Sequence, residues 1–260
     1  MRKTLAIFNK EFKSFFYSPM AYVIIAIFTL ITGYLFYNVL SWFVQQSFMA
    51  TMQAQQYQQA PPKFNINLQL IRGYFGTLAF ISLFILPTIT MRLFSEEKKQ
   101  GTLELLYTTP ITELQVVIGK YLAGLALFIV LLIPTMFFMA LLFVYGEPDF
   151  LPVLSGYIGL ILLSSAFVAL GLFISTLTEN QIIAAIGGFA LSLFLWIIGW
   201  GATFTGGTLK PVLEYLSILI HFEDFAQGVV DSTNVAYYLI ITVFGLYLSL
   251  KSIESVKWRT

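Results

Sequence analysis

The sequence predicts an all-α integral membrane protein with six transmembrane helices. Three observations carry that reading. Of its 260 residues, 58% are AVILMFWYC, and mean hydropathy is +0.83. Only 10% are charged, against roughly a quarter in a soluble domain. The apolar residues gather in continuous runs of the length a helix needs to cross a bilayer, about 20 residues. A soluble surface cannot be built from 14 Lys+Arg and 13 Asp+Glu on this chain. A soluble enzyme, a nucleic-acid binder and a disordered protein are therefore excluded. A membrane β-barrel would need short strands of alternating polarity, which these runs are not. The net charge of +1 gives no pull toward polyanions. With Cys 0 and His 1, cysteine clusters and histidine-rich metal sites are excluded too.

Residues 1–19 come first and are not a span. Leu5, Phe8, Phe12, Phe15 and Phe16 share one helical face, opposite Lys3, Lys10 and Ser14. This predicts an interfacial helix with its apolar face in lipid and its lysines toward headgroups. The spans follow at about 20–43, 73–91, 121–145, 151–177, 182–204 and 235–250, the last being the shortest. The first apolar run starts late, is full length and has no small-x-small site close behind it, so a retained span is expected rather than a cleaved leader. Residues 45–70 are glutamine-rich, and span one can continue outward as a helix until Pro61-Pro62 stops it. Residues 205–234 hold an apolar stretch too short to span. They predict one or two short re-entrant helices between spans five and six. His221, Glu223 and Asp224 follow that stretch, and are read as a wet outer rim rather than a metal site.

Basic residues set the orientation. Eleven of the fourteen lie before span one, between spans two and three, or after span six. The remaining three are Lys63, Arg72 and Lys210. This asymmetry predicts both termini and the 92–120 loop in the cytoplasm. As drawn, the six spans hold no Asp, Glu, Lys, Arg or His. Ion-coupled carriers place such groups at membrane depth, so that class is disfavoured. No nucleotide site is expected either. The lone Gly-Lys pair, Gly119-Lys120, has Leu114 and Tyr121 where a phosphate loop needs Gly and Ser/Thr. Any ATP hydrolysis belongs to another polypeptide.

The 92–120 loop carries the strongest signal. Ser95 is expected to cap a helix with Glu96 and Glu97 in its first turn. Gly101 interrupts it, and Thr102 can cap a short helix over 103–107. Thr109-Pro110 then starts a third helix leading into span three, with Glu113 in its first turn. A short apolar helix between two breaks suits insertion into a partner's groove.

The string Glu97-Lys98-Lys99-Gln100-Gly101-Thr102-Leu103-Glu104-Leu105-Leu106, followed by Pro110, closely resembles the loop of ABC-2 type permeases, the membrane subunits of one ABC transporter class. The resemblance covers the whole chain, including the amphipathic first helix and the short outer helices. Phe222-Glu223-Asp224-Phe225-Ala226-Gln227-Gly228-Val229-Val230-Asp231 and Tyr237-Tyr238 look like the gliding-motility-associated subgroup of bacteria. The chain departs from the family in its long glutamine-rich outer segment and its lack of a substrate signature. The resemblance implies a single transmembrane domain over 1–260 in the bacterial inner membrane. It implies a coupling helix that docks on a separate ABC ATPase subunit through Glu97, Gly101, Thr102, Leu103, Glu104, Leu105, Leu106 and Pro110. No cofactor, metal or catalytic residue is expected in this chain, since ATP and Mg would sit on the ATPase. The other implied partners are the lipid bilayer, a second copy or related permease, and an accessory membrane protein with a large outer domain. An apolar path at the interface of spans one, two and five would take an amphipathic or lipid-like substrate. The alternative from another class is a non-transporting scaffold that passes ATPase-driven motion to an outer partner.

Overall fold

The computed structural model describes residues 2–58, 60, 64–102, 111–204, 206–207 and 209–257. Among them all regular structure is helical. Helix α1 is Arg2–Tyr17 and α2 is Pro19–Gln56. A π-helical turn, Asn67–Ile71, leads into α3, Arg72–Thr90, and α4, Arg92–Lys99, follows almost without a break. Next come α5, Glu113–Tyr145; α6, Phe150–Leu177; and α7, Gln181–Phe204. Two short helices, α8 over Leu209–Leu216 and α9 over Ile218–Ala226, precede α10, Ser232–Lys257. Six of these helices, α2, α3, α5, α6, α7 and α10, are long and apolar enough to cross a membrane. The chain is thus consistent with a multi-pass membrane protein.

Several helices run longer than their apolar cores. Helix α2 has 38 residues, about 57 Å at 1.5 Å per residue, and so continues past span one as the glutamine content suggested. Its last residue precedes Pro61 and Pro62, which lie outside the described residues. Helix α10 has 26 residues rather than the short span the apolar run alone suggested.

Helix α6 is the hub and touches α3, α4, α5, α7, α9 and α10. Its small residues allow this: Gly156, Gly159, Ser164, Ser165, Ala166, Ala169 and Gly171 are buried along it. In lipid, helices gain from close packing and shared hydrogen bonds rather than from hydrophobic burial. Here Ser165 shares a 2.9 Å bond with Thr242 of α10, and Thr135 of α5 shares a 3.0 Å bond with Tyr157. Helix α3 touches both α2 and α7. All three present exposed apolar residues, including Leu30 and Tyr34, Phe80 and Phe84, and Ile186 and Phe194.

Helix α1 corrects the expectation of a face turned wholly to lipid. It lies on α5 through Ile7 and Glu11, and the next residue on that ridge, Phe15, lies against Arg92 of α4. Gly119 permits the approach, because a Cβ there would stand 2.8 Å from Ile7 Cγ2. Leu5, by contrast, stays 58% exposed.

Candidate coupling site

One end of the bundle gathers α1, α4 and the starts of α5 and α7 with the ends of α6 and α10. The site begins where α3 becomes α4. The Met91 N–H bonds the Pro87 carbonyl at 2.9 Å and Met91 is itself helical, so the join never leaves helical geometry. Ser95 therefore falls inside α4 instead of capping it. Its hydroxyl bonds back to the Met91 carbonyl, the usual habit of a mid-helix serine. Ser175 of α6 bridges the join instead. Its hydroxyl accepts from the Phe94 and Ser95 N–H groups at 3.1 Å and donates to the Met91 carbonyl at 3.0 Å. Lys98 Nζ donates to the Thr176 carbonyl at 2.5 Å, and Ser252 of α10 reaches the same oxygen at 3.5 Å. Helix α4 is thereby fastened to the end of α6.

The stop of α4 is a complete Schellman motif. Gly101, at φ +67°, donates to the Lys98 carbonyl at 3.1 Å, and Thr102 N–H donates to the Glu97 carbonyl at 3.0 Å. A left-handed residue at this position favours glycine. The Thr102 hydroxyl also donates to the Glu97 carbonyl at 3.3 Å, so Thr102 serves the helix behind it. The expected helix over 103–107, with Leu103, Glu104, Leu105 and Leu106, and the expected turn at Pro110 lie outside the described residues. The helix entering span three begins at Glu113, later than Thr109-Pro110 suggested. Thr112 is extended, at ψ 147°, and its N–H donates to Gln115 Oε1 at 3.4 Å, half of a capping box.

Beneath this loop lies a buried charge cluster. Lys120, two turns into α5, has 2% side-chain exposure. Its Nζ stands 3.1 Å from Glu11 Oε1 of α1 and 3.0 Å from Glu97 Oε1 of α4. Lys10 lies 3.7 Å from each of those oxygens. The Lys120 ammonium also sits 5.1 Å from the Phe94 ring centroid, and the Arg92 guanidinium lies 4.4 Å over Phe15. Glu97 Oε2 is buried without a hydrogen-bond partner among the described residues. Lys120 was expected in the loop just before span three, and the structure buries it instead. Helix α5 extends outward past the apolar run and draws Lys120 inside. Separating buried, paired charges is costly, so α4 cannot slide on α5 without breaking the cluster or carrying α1 along. The arrangement is a mechanical brace across three elements and holds no catalytic chemistry.

Sequence reasoning chose Glu97 but missed Glu11 and Lys120. Glu11 is the only acidic residue before Glu96, and it sits among phenylalanines. That isolation was the available signal. Lys120 was read as part of the basic asymmetry and as a Gly-Lys pair that makes no phosphate loop, not as a buried charge.

At the opposite end, Glu223 and Asp224 of α9 are exposed as a wet rim requires, but His221 is 7% exposed, which corrects that expectation for the histidine. Its Nδ1 faces Asn234 Oδ1 at 2.6 Å and its Nε2 the Tyr215 carbonyl at 3.0 Å, while Tyr237 stacks on the ring at 3.8 Å. Asn234 Nδ2 donates to Asp224 Oδ2 at 2.7 Å, and Arg72 pairs with Glu223 at 3.3 Å. The two expected carboxylates thus have partners on other helices. Among the described residues no group of three or more His, Cys, Asp or Glu is placed to hold a metal.

A search of curated proteins finds no match. The family model of the ABC-2 family transporter proteins matches residues 5–253, a span that takes in α1, all six long helices and the braced loop. With nearly the whole chain inside that match, this protein belongs to the ABC-2 family of transporter membrane proteins.

Proposed function

We propose that this chain is the permease subunit of an ATP-driven transporter in the bacterial inner membrane, with its ATPase on a separate chain. The end that gathers α1, α4 and the last turns of α10 is then cytoplasmic, in keeping with the basic residues there. The loop 92–120 receives the ATPase through Leu103, Leu105 and Leu106, with Glu97, Glu104, Gly101, Thr102 and Pro110 shaping it. The observation that supports this reading best is the Glu11–Lys120–Glu97 brace directly beneath the loop. A push that reaches α4 is then carried to α5 and α1 through this cluster. ATP and Mg act on the ATPase, which must favour one permease state by several kcal/mol to shift the population.

Two subunits, identical or related, would meet through α2, α3 and α7. Their exposed apolar residues support that choice. Along α2, Val23, Ile27, Leu30, Tyr34 and Tyr37 are all exposed and alternate at spacings of four and three, the pattern of a helix–helix seam. A path between such faces offers few groups to replace an ion's hydration shell, so the cargo is amphipathic or lipid-like. The outer helices α8 and α9 would form the re-entrant cover, and the 222–231 stretch with Tyr237-Tyr238 resembles the gliding-motility-associated subgroup.

The second reading is a scaffold that transmits force to an outer partner, such as an accessory membrane protein with a large outer domain. One observation favours it. Helix α2 is about 57 Å long against a hydrocarbon core of about 30 Å, a lever reaching well beyond the bilayer.

The test is the double variant Leu105→Asp/Leu106→Asp, co-expressed with the ATPase. Both residues lie outside the spans, so insertion and folding should persist while ATPase co-purification and stimulated turnover are lost. A double variant that still captures a fully active ATPase would remove the loop from the mechanism.

A further inference from the structure

We propose a binding site for one anionic phospholipid between α1 and α5. A groove of about 730 Å³ opens there, within the volume range of small-ligand sites. Leu5 and Phe8 form its α1 side, and Leu122, Ala126 and Ile129 its α5 side. Its lining contains one charged residue, Arg2, and no acidic one. Arg2 is exposed, and no acidic side chain pairs with it among the described residues.

Three features select the occupant. First, the α5 wall from Ile118 to Ile129 extends about 17 Å along the helix, close to the depth of one hydrocarbon leaflet, half of about 30 Å. An extended acyl chain has that length. Second, Leu5, Leu122 and Ile129 are 58%, 40% and 39% exposed, so the groove is open along its side rather than sealed. A chain can enter laterally from the bilayer. Third, a guanidinium above an apolar slot complements a phosphodiester above an acyl chain. Arg recognises phosphate oxygens through paired N–H donors, and a net anionic headgroup adds attraction that a zwitterionic one lacks. A peptide helix is matched less well, because the groove offers one cation and an otherwise apolar lining rather than a polar rim.

The lipid would bridge the two elements that Glu11 and Lys120 already join, and so hold α1 against α5 from the membrane side. This inference does not rest on the transporter reading. The experiment reads lipid binding alone and needs no ATPase.

The full chain is purified in neutral detergent and stripped of lipid. Phosphatidylglycerol or phosphatidylcholine of matched chains is then added back, and bound lipid is counted by native mass spectrometry. The wild type should retain phosphatidylglycerol over phosphatidylcholine by about fivefold, the worth of one basic residue at a lipid surface. Arg2→Gln should erase that preference while leaving chain binding in place. Ala126→Trp should fill the slot and reduce both lipids, with Ile129→Trp as the replacement where the first variant fails to fold. Equal retention of both lipids by the wild type, or an Arg2→Gln variant with an unchanged preference, would overturn the proposal. So would a folded Trp variant that binds as before, or displacement of phosphatidylglycerol by millimolar inorganic phosphate alone, which would mean an anion site without a lipid.

Discussion

Lys120 makes the sharpest demand at the level of single residues. Its ammonium is the only cation with low exposure in a cluster where Glu11 and Glu97 are themselves 12% and 14% exposed. Removing it leaves two nearly buried carboxylates facing each other, offset in part by exposed Lys10 at 3.7 Å and by the nearby Arg92 charge. Breaking a buried pair costs about 3–5 kcal/mol, and Lys10 places the expected loss at the lower end. Thermal unfolding of Lys120→Ala in detergent should show that loss. The triple variant Lys120→Met/Glu11→Gln/Glu97→Gln should recover most of the stability, because no unpaired charge remains. It should still fail to transmit ATPase turnover. A triple variant that couples normally would reduce the cluster to a packing feature.

The short helices α8 and α9 are tied to α10 by polar bonds, while α9 also buries Ile218, Phe222 and Phe225. Asn234 is the keystone, accepting from or facing the His221 ring and donating to Asp224. Tyr237 and Tyr238 add hydroxyl bonds of 2.8 Å to the Leu216 and Ile218 carbonyls. Asn234→Ala strands the buried His221 ring, at about 1–3 kcal/mol for a buried polar group left unpaired, while the exposed Asp224 turns to water. Limited proteolysis between residues 205 and 234 should accelerate by at least tenfold. Next to this pair of helices, Asp231 caps α10. The Thr233 backbone N–H, at 2.8 Å, holds its carboxyl below the usual range, with the Thr233 side chain adding to the effect. A depressed folded value means that the cap contributes above the ordinary carboxylate range and is lost as pH falls through the folded value. The protection factor of the Thr233 amide, referred to the intrinsic exchange rate at each pH, should therefore fall in acid for the wild type. An Asp231→Asn variant, which caps without titrating, should lack that pH dependence.

At the scale of the whole molecule, the chain contains no cysteine, so single probes can be placed without altering a background. Gln58 and Gln100 are both exposed, one beyond the end of α2 and the other at the end of α4. Gln58→Cys and Gln100→Cys should label from opposite sides of the membrane. Labelling from one side would contradict the even span count and the orientation read from the basic residues. A third probe, Tyr34→Cys in the exposed seam of α2, should form a disulfide with its copy in membranes if two identical subunits meet there. Its failure to cross-link, with correct labelling at the other two positions, would point to a related partner chain instead.

How far the sequence reaches depends on the range of the force involved. It determined by itself the number and approximate place of the long helices, since hydrocarbon thickness demands continuous apolar length and continuity is visible in one dimension. It also determined the stop at Gly101, because a left-handed cap is a local requirement. The ends of helices were less legible. Ser95 has every local mark of a cap, yet Ser175, 80 residues away, supplies the bonds and leaves Ser95 inside α4. The helix leading into span three starts at Glu113 behind a local cap at Thr112, which bonds Gln115. Only the tertiary structure decided the partners of charge. Lys120 and Glu11 stand 109 residues apart, and nothing in either local segment names the other. They meet because α1 packs on α5 at Gly119, and a charge carried into that low-dielectric contact is retained only where its opposite is carried in with it.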